Sequence, residues 1–316
     1  MRGRPGVVLL GIVVAAFNLR VMIAGVGPVI DDIRADTGMS SAQAGVLTGV
    51  PFVLIALFSF AGVALVKRTS PARVITLALV WLAGGTLLRA VVPSAVLVLA
   101  TTVPIGVGIA LAGVGLPGVV KAHFAARPGT VTGAYVASLS VGGALAAALM
   151  VPLSDALGGW RWAFAASAVP AFLAIPLWHL TVGRWDTGRG LEPLGPLGWL
   201  PSRSGLLLGV VFGTQSMTFA GTVSWVAALY VHEGWAPADA ALTTASVALL
   251  SVPAALVAMR LSHGRSRRAW ASASAVTVTV AMLGLALTPE TPAWLWAPLF
   301  GLGTGALFPL LLTLPL

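Results

Sequence analysis

Cysteine is absent from the 316 residues, so the chain has no disulfide framework, no thiolate nucleophile and no Cys-ligated metal. Charge is nearly as scarce. Only 9% of residues are Asp, Glu, Lys or Arg, against 58% hydrophobic ones, whereas a soluble domain carries charge on about a quarter of its residues. A chain this poor in charge, with mean hydropathy +0.98, cannot clothe itself for water and needs lipid as its outer solvent. Acids are fewest, nine against eighteen Lys and Arg. The resulting net charge of +9 would suggest nucleic acid in a soluble protein. Here the basic residues sit in short loops between apolar runs, so no nucleic-acid partner is expected. Polar alternation over ten-residue segments is also missing, which excludes a β-barrel.

What is present is a series of apolar runs about 20 residues long, the length of a membrane-spanning helix. Ten can be marked, near 5–30, 41–66, 73–92, 95–120, 130–154, 160–182, 204–231, 238–259, 269–287 and 292–316. The first follows Arg2 and Arg4 and invites a signal-peptide reading, but its apolar character continues to Ile30, long enough to span. The expected fold is therefore an all-α integral membrane protein.

The basic residues set an orientation. With a cytoplasmic N-terminus, fourteen of the eighteen Lys and Arg fall in inside loops, among them Lys67, Arg68, Arg73, Lys121, Arg127 and Arg268. Arg34, Arg89 and Arg161 fall at the outer rim, and Arg20 lies inside the first helix. Arg outnumbers Lys sixteen to two and Ala is abundant, a usage of GC-rich bacterial coding. The location expected is thus a bacterial cytoplasmic membrane, crossed many times.

An internal repeat follows from sliding the chain by 195 residues. Arg73 falls on Arg268, Gly106 on Gly301, Gly108 on Gly303, Met22 on Met217 and Arg20 on Gln215. One offset serving several helices implies two six-helix halves: residues 1–183, a cytoplasmic linker at 184–203, and an incomplete second half at 204–316. Twelve helices would be expected and about ten are present, so the last two are expected to be missing. A remnant that inserts without transporting is the alternative this leaves open.

These features resemble the major facilitator superfamily, and within it the cyanate permease and 2-nitroimidazole transporter family. The resemblance rests on Asn18-Leu19-Arg20 with Gly27-Pro28, Gly45-Val46-Leu47-Thr48 with Pro51, and Leu116-Pro117-Gly118-Val119-Val120-Lys121 with Phe124. Arg127-Pro128-Gly129, Thr132-Gly133 with Tyr135, Gln215-Ser216 with Trp225, and Gly301-Leu302-Gly303 with Phe308-Pro309 extend it over the whole chain. The acid usual in the superfamily's loop between helices two and three is missing, since Lys67-Arg68 stands there. The resemblance implies an alternating-access permease acting as a monomer, with cyanate or a nitro-heterocycle as substrate and no cofactor.

Arg20 is the most informative single residue. An Arg at the centre of a membrane helix costs about 2.5–3.5 kcal/mol on insertion scales and should face the bundle interior or a wet cavity. No carboxylate lies inside any expected helix core, so five guanidinium donors are left for a small planar anion or nitro group, or else for backbone carbonyls that lock helices together. Asn18 lies roughly 200° away around the same helix, so the two point in different directions. Gln215, Thr218, Thr222 and Trp225 follow at i, i+3, i+7 and i+10, one polar-aromatic stripe suited to a substrate cavity or to interhelical hydrogen bonds. Tyr135, with Ser138 and Gly142, forms a further candidate face. An intramembrane protease would need a His near a helix centre, and His123, His179, His232 and His263 all miss it. A channel would need a ring of repeated polar groups, which is not visible. Neither a metal site nor an enzyme is expected.

Overall fold

The computed structural model describes residues 5–183, 203–261, 267–288 and 293–313. Every regular element among them is helical. In chain order these are α1 (Pro5–Ala24), a 3-10 turn (Gly27–Val29), α2 (Ile30–Thr37), α3 (Ser41–Arg68), α4 (Pro71–Val91), α5 (Ala95–Ala100) and α6 (Thr102–His123). Then come α7 (Pro128–Leu157), α8 (Trp160–Thr181), α9 (Arg203–His232), α10 (Pro237–Leu261), α11 (Arg267–Leu287) and α12 (Ala293–Thr313). Eight stretches among the described residues are long and apolar enough to cross a membrane, with a shorter apolar stretch, Leu242–Ala258, inside α10.

Local chemistry sets the ends. Ser40 caps α3 through a capping box, its hydroxyl accepting from the Gln43 N–H at 3.2 Å while the Gln43 side chain accepts from the Ser40 N–H at 2.9 Å. Ser70 caps α4 just before Pro71, its hydroxyl accepting from the Arg73 N–H at 3.3 Å. Between α7 and α8 the chain reverses on Gly158 and Gly159, at φ +82° and +136°, where a side chain would be strained. The first apolar run is not one helix. It breaks after Ala24 at Gly25–Gly27 with Pro28, and α2 continues as a short charged helix. The fourth run likewise divides at Thr101 into α5 and α6.

The chain divides into two compact units, Met1–Val131 with Gly142–Pro193, and Thr132–Val141 with Leu194–Leu316. The expected linker at 184–203 lies outside the described residues except for Arg203, which opens α9. In the first unit α4 packs on α6 and α8, α3 on α6, and α1 on α8. Trp178 of α8 ties that packing to α4 by donating its indole N–H to the Ala72 carbonyl at 3.0 Å. A core of Val26, Ile33, Leu47, Val98, Met150, Trp160 and Phe164 closes one end of this unit. At the same end Asp36 accepts from the Trp160 indole and pairs with Arg161 at 2.7 Å, clamping α2 to α8. In the second unit α12 packs on α10 and α11, around Val226, Tyr230, Val247, Phe300 and Leu310.

The 195-residue repeat is present in the packing. A Cβ on Gly108 would meet the Ala78 carbonyl and Leu82, bringing α6 against α4. A Cβ on Gly303 would meet the Ser274 carbonyl and Val278, bringing α12 against α11. Gly106 closes on Leu54 of α3, and Gly301 on Val247 of α10. Matched glycines thus join matched helices, each permitting the close approach that small residues give in membrane bundles.

Candidate functional site

The site begins with the two faces of α1. Gly11, Ala15, Asn18 and Met22 recur at helical spacing and are all buried. Gly11 lets α1 approach Thr181 and Val182 at the end of α8. Met22 sulfur accepts from the Thr86 hydroxyl of α4 at 2.7 Å. Asn18 lies between them, 0% exposed. Its Nδ2 donates to the Val14 carbonyl at 2.8 Å, and its buried Oδ1 has no partner among the described residues.

Arg20 stands on another face and is half-buried. Its stem runs beside Gly143 of α7, while neighbouring Gly142 approaches the Phe17 carbonyl. The two glycines remove the side chains that would otherwise hold α7 away from α1, so the Arg20 stem lies against backbone. Asn18 is therefore a packing-face residue of the first unit, and Arg20 is the more accessible of the two.

Arg89 is a second buried cation of the first unit. Expected at the rim, it is 2% exposed. Its Nε donates to the Thr101 hydroxyl at 3.1 Å and its Nη2 to the Thr102 hydroxyl at 3.0 Å. Its guanidinium lies 5.6 Å from the centroid of the Phe164 ring. Thr101 in turn donates to the Val98 carbonyl at 2.6 Å, which fixes its oxygen as the acceptor. A small cavity beside Arg89 is lined also by Met22, Ile23, Val26, Leu47, Thr48, Pro51 and Ile105. The signal available in the sequence was the adjacent pair Thr101-Thr102, placed opposite Arg89 by the short α4–α5 connection.

On α9 the expected stripe is divided by burial. Gln215 and Thr222, seven residues apart, are buried, and the Gln215 Oε1 has no partner among the described residues. Thr218 is half-buried and Trp225 is 58% exposed. The Thr218 and Thr222 hydroxyls donate to the carbonyls of Thr214 and Thr218, at 2.8 and 2.9 Å, so their protons serve their own helix. Thr222 also meets Met282 sulfur at 3.3 Å. On α7, Tyr135 and Ser138 are both buried. Among the described residues no three His, Asp or Glu side chains gather as a metal site would require.

These elements occur in known proteins. A family model described as Major Facilitator Superfamily matches residues 8–316. The 2-nitroimidazole transporter of Escherichia coli K12 is 32% identical over 97% of this chain and 78% of its own length. The cyanate transport protein CynX of the same organism is 30% identical over 98% of this chain and 80% of its own. An uncharacterized transporter of Bacillus subtilis, YycB, is 32% identical over 96% and 76%. Among solved structures, a bacterial homolog of the human lysosomal transporter Spinster, inward-facing and occupied, superimposes with a TM-score of 0.70 at 20% identity, over 97% of this chain and 73% of that one. At that identity the likeness is one of fold. Both the family model and the relatives extend over nearly the whole sequence, and the chain belongs to the Major Facilitator Superfamily.

Proposed function

We propose that the chain is an alternating-access permease that moves a small anion or polar solute, of the character of cyanate or a nitro-heterocycle, across the bacterial cytoplasmic membrane. In this reading the N-terminus is cytoplasmic, residues 1–183 form the first half, and residues 204–316 belong to the second. Arg20 carries the reading. It is a guanidinium well inside an apolar helix, half-buried against a glycine pair. The described acids stand elsewhere: Asp31, Asp32 and Asp36 on α2, Asp155 in the last turn of α7, Glu233 after α9 and Asp239 in the first turn of α10. An Arg within an apolar helix, with the described carboxylates confined to helix ends or to the short α2, favours an anionic or electron-rich solute over a cation. The names of the E. coli relatives supply the substrate class to test first.

Gln215, Thr222 and Tyr135 contribute further buried polar groups, Thr218 and Trp225 more accessible ones, and Asn18 supports α1 from its opposite face. Flux of cyanate and of 2-nitroimidazole in proteoliposomes tests the reading, comparing the parent with Arg20→Gln. Flux in the parent that falls about a hundredfold in the variant is the expected result, since a lost charge-assisted bidentate contact is worth roughly 2–3 kcal/mol. Equal flux in both would remove Arg20 as the substrate residue. No flux of either solute in the parent would reject this substrate class.

A further inference from the structure

We propose that the cavity beside Arg89 is a second anion site, taking a halide-sized anion or one end of a linear anion. Its part in transport rests on the reading of Arg20 above, whereas its existence as a binding site does not.

Charge is the first argument. Arg89 is buried, and among the described residues the hydrogen bonds that hold it go to two neutral hydroxyls, not to a carboxylate. The same end of the unit has carboxylates to spend, and it spends them elsewhere. Asp36 takes Arg161 and the Trp160 indole, and Asp31 takes Arg34. Arg89 therefore keeps a full positive charge in an apolar surrounding, where an uncompensated ion is costly and an arriving anion is attracted far more strongly than in water.

Geometry is the second. Thr101 and Thr102 engage two of the three guanidinium nitrogens and so hold the fork in one orientation. The cavity that Arg89 helps to line has apolar walls from α1 and the turn after it, α3 and α6, and is about the size of one water. Pro51 on the α3 wall has no N–H to give the Leu47 carbonyl, which opens the helix ladder beside the cavity. Arg89, Met22, Val26, Leu47, Pro51 and Ile105 are buried, while Ile23 and Thr48 are half-buried. The mouth thus lies between α1 and α3, at those two residues.

Placement is the third. Ile23 follows Arg20 by three residues, so the mouth shares the Arg20 face of α1, about 4.5 Å further along the axis. An anion leaving Arg20 in that direction would meet a second fixed cation within one helical turn.

The test uses the whole purified chain in detergent and follows its thermal unfolding. Sodium chloride replaces sodium gluconate at constant ionic strength, and a parallel series uses sodium cyanate. A saturable rise in Tm with chloride and with cyanate, absent with gluconate, is expected, because a ligand that binds only the folded state stabilises it. Arg89→Gln should raise the half-saturating concentration about tenfold or more. Thr48→Trp should do the same by closing the mouth while leaving the Arg89 bonds to Thr101 and Thr102 in place, so it decides the matter if Arg89→Gln does not fold. Arg20→Gln should leave the chloride titration unchanged, whereas the cyanate series reports any cyanate held at Arg20 as well. No saturable rise in the parent, or one that Thr48→Trp does not move, overturns the proposal. A chloride titration that responds to Arg20→Gln and to neither pocket variant places the anion at Arg20 and also overturns it, with the transport reading intact. Protection that depends on Arg89 in a protein without flux of cyanate or 2-nitroimidazole supports the pocket and rejects the substrate class proposed for transport.

Discussion

At the scale of single residues, α1 sets a half-buried Arg20 beside a hidden Asn18. Asn18 hides an amide oxygen with no partner, and such a buried acceptor costs about 1–3 kcal/mol. Asn18→Leu, similar in size and free of that oxygen, should hold or raise thermal stability in detergent by about 1–2 kcal/mol. A clear fall in stability would mean that the oxygen has a partner, such as an ordered water, worth keeping. Arg20 was legible in the sequence because it interrupts an apolar run at its middle, where position alone makes an Arg conspicuous. Arg89 was not. A residue two positions from the end of a helix is equally able to reach toward water or to turn inward, and hydropathy does not separate these. The decision is made by Thr101 and Thr102, whose hydroxyls hold the guanidinium inside. The burial that separates Gln215 from Trp225 was hidden for a similar reason. Spacing places them on one broad face of α9, but only the packing against α10 and α12 decides how much of that face is covered.

Among the elements, the long spans were legible and the short ones were not. Hydropathy located α3, α4 and α7 to within a few residues, because lipid demands an apolar run of fixed length. The helix α2 escaped, since Asp31, Asp32 and Arg34 make it read as a loop although it packs Ile33 into the core. The division at Thr101 escaped too, although Pro104 in the first turn of α6, with no N–H for the Ala100 carbonyl, is a mark of it. The glycine contacts give the repeat a physical test. Gly108→Leu and Gly303→Leu each force a side chain onto the backbone of a neighbouring helix, α4 in one case and α11 in the other. Each should destabilise its own unit by about 1–3 kcal/mol, measured by chemical unfolding in mixed micelles. Gly113→Leu meets open space and serves as the control, expected to change little. Equal stability of all three variants would show that the matched glycines are not needed for close packing.

For the whole molecule, the absence of cysteine turns from an exclusion into a tool. Single-Cys variants need no background removal, so Asp32→Cys and Ala126→Cys can be labelled directly in cells. Both positions are exposed, on α2 and in the connection before α7 respectively. A membrane-impermeant maleimide applied to intact cells should label Asp32→Cys and spare Ala126→Cys. The reverse pattern would invert the orientation read from the basic residues. The two cores carry one more consequence, for how the protein is made. The cluster built on Val26, Leu47, Met150 and Phe164 lies wholly before residue 184, and the cluster built on Tyr230, Phe300 and Leu310 wholly after residue 202. Domains fold as units, the N-terminal one first, as the ribosome delivers them. The early core therefore has all its own side chains in the bilayer while α9 is still inside the ribosome, and biosynthesis can proceed in two instalments, neither waiting for the other.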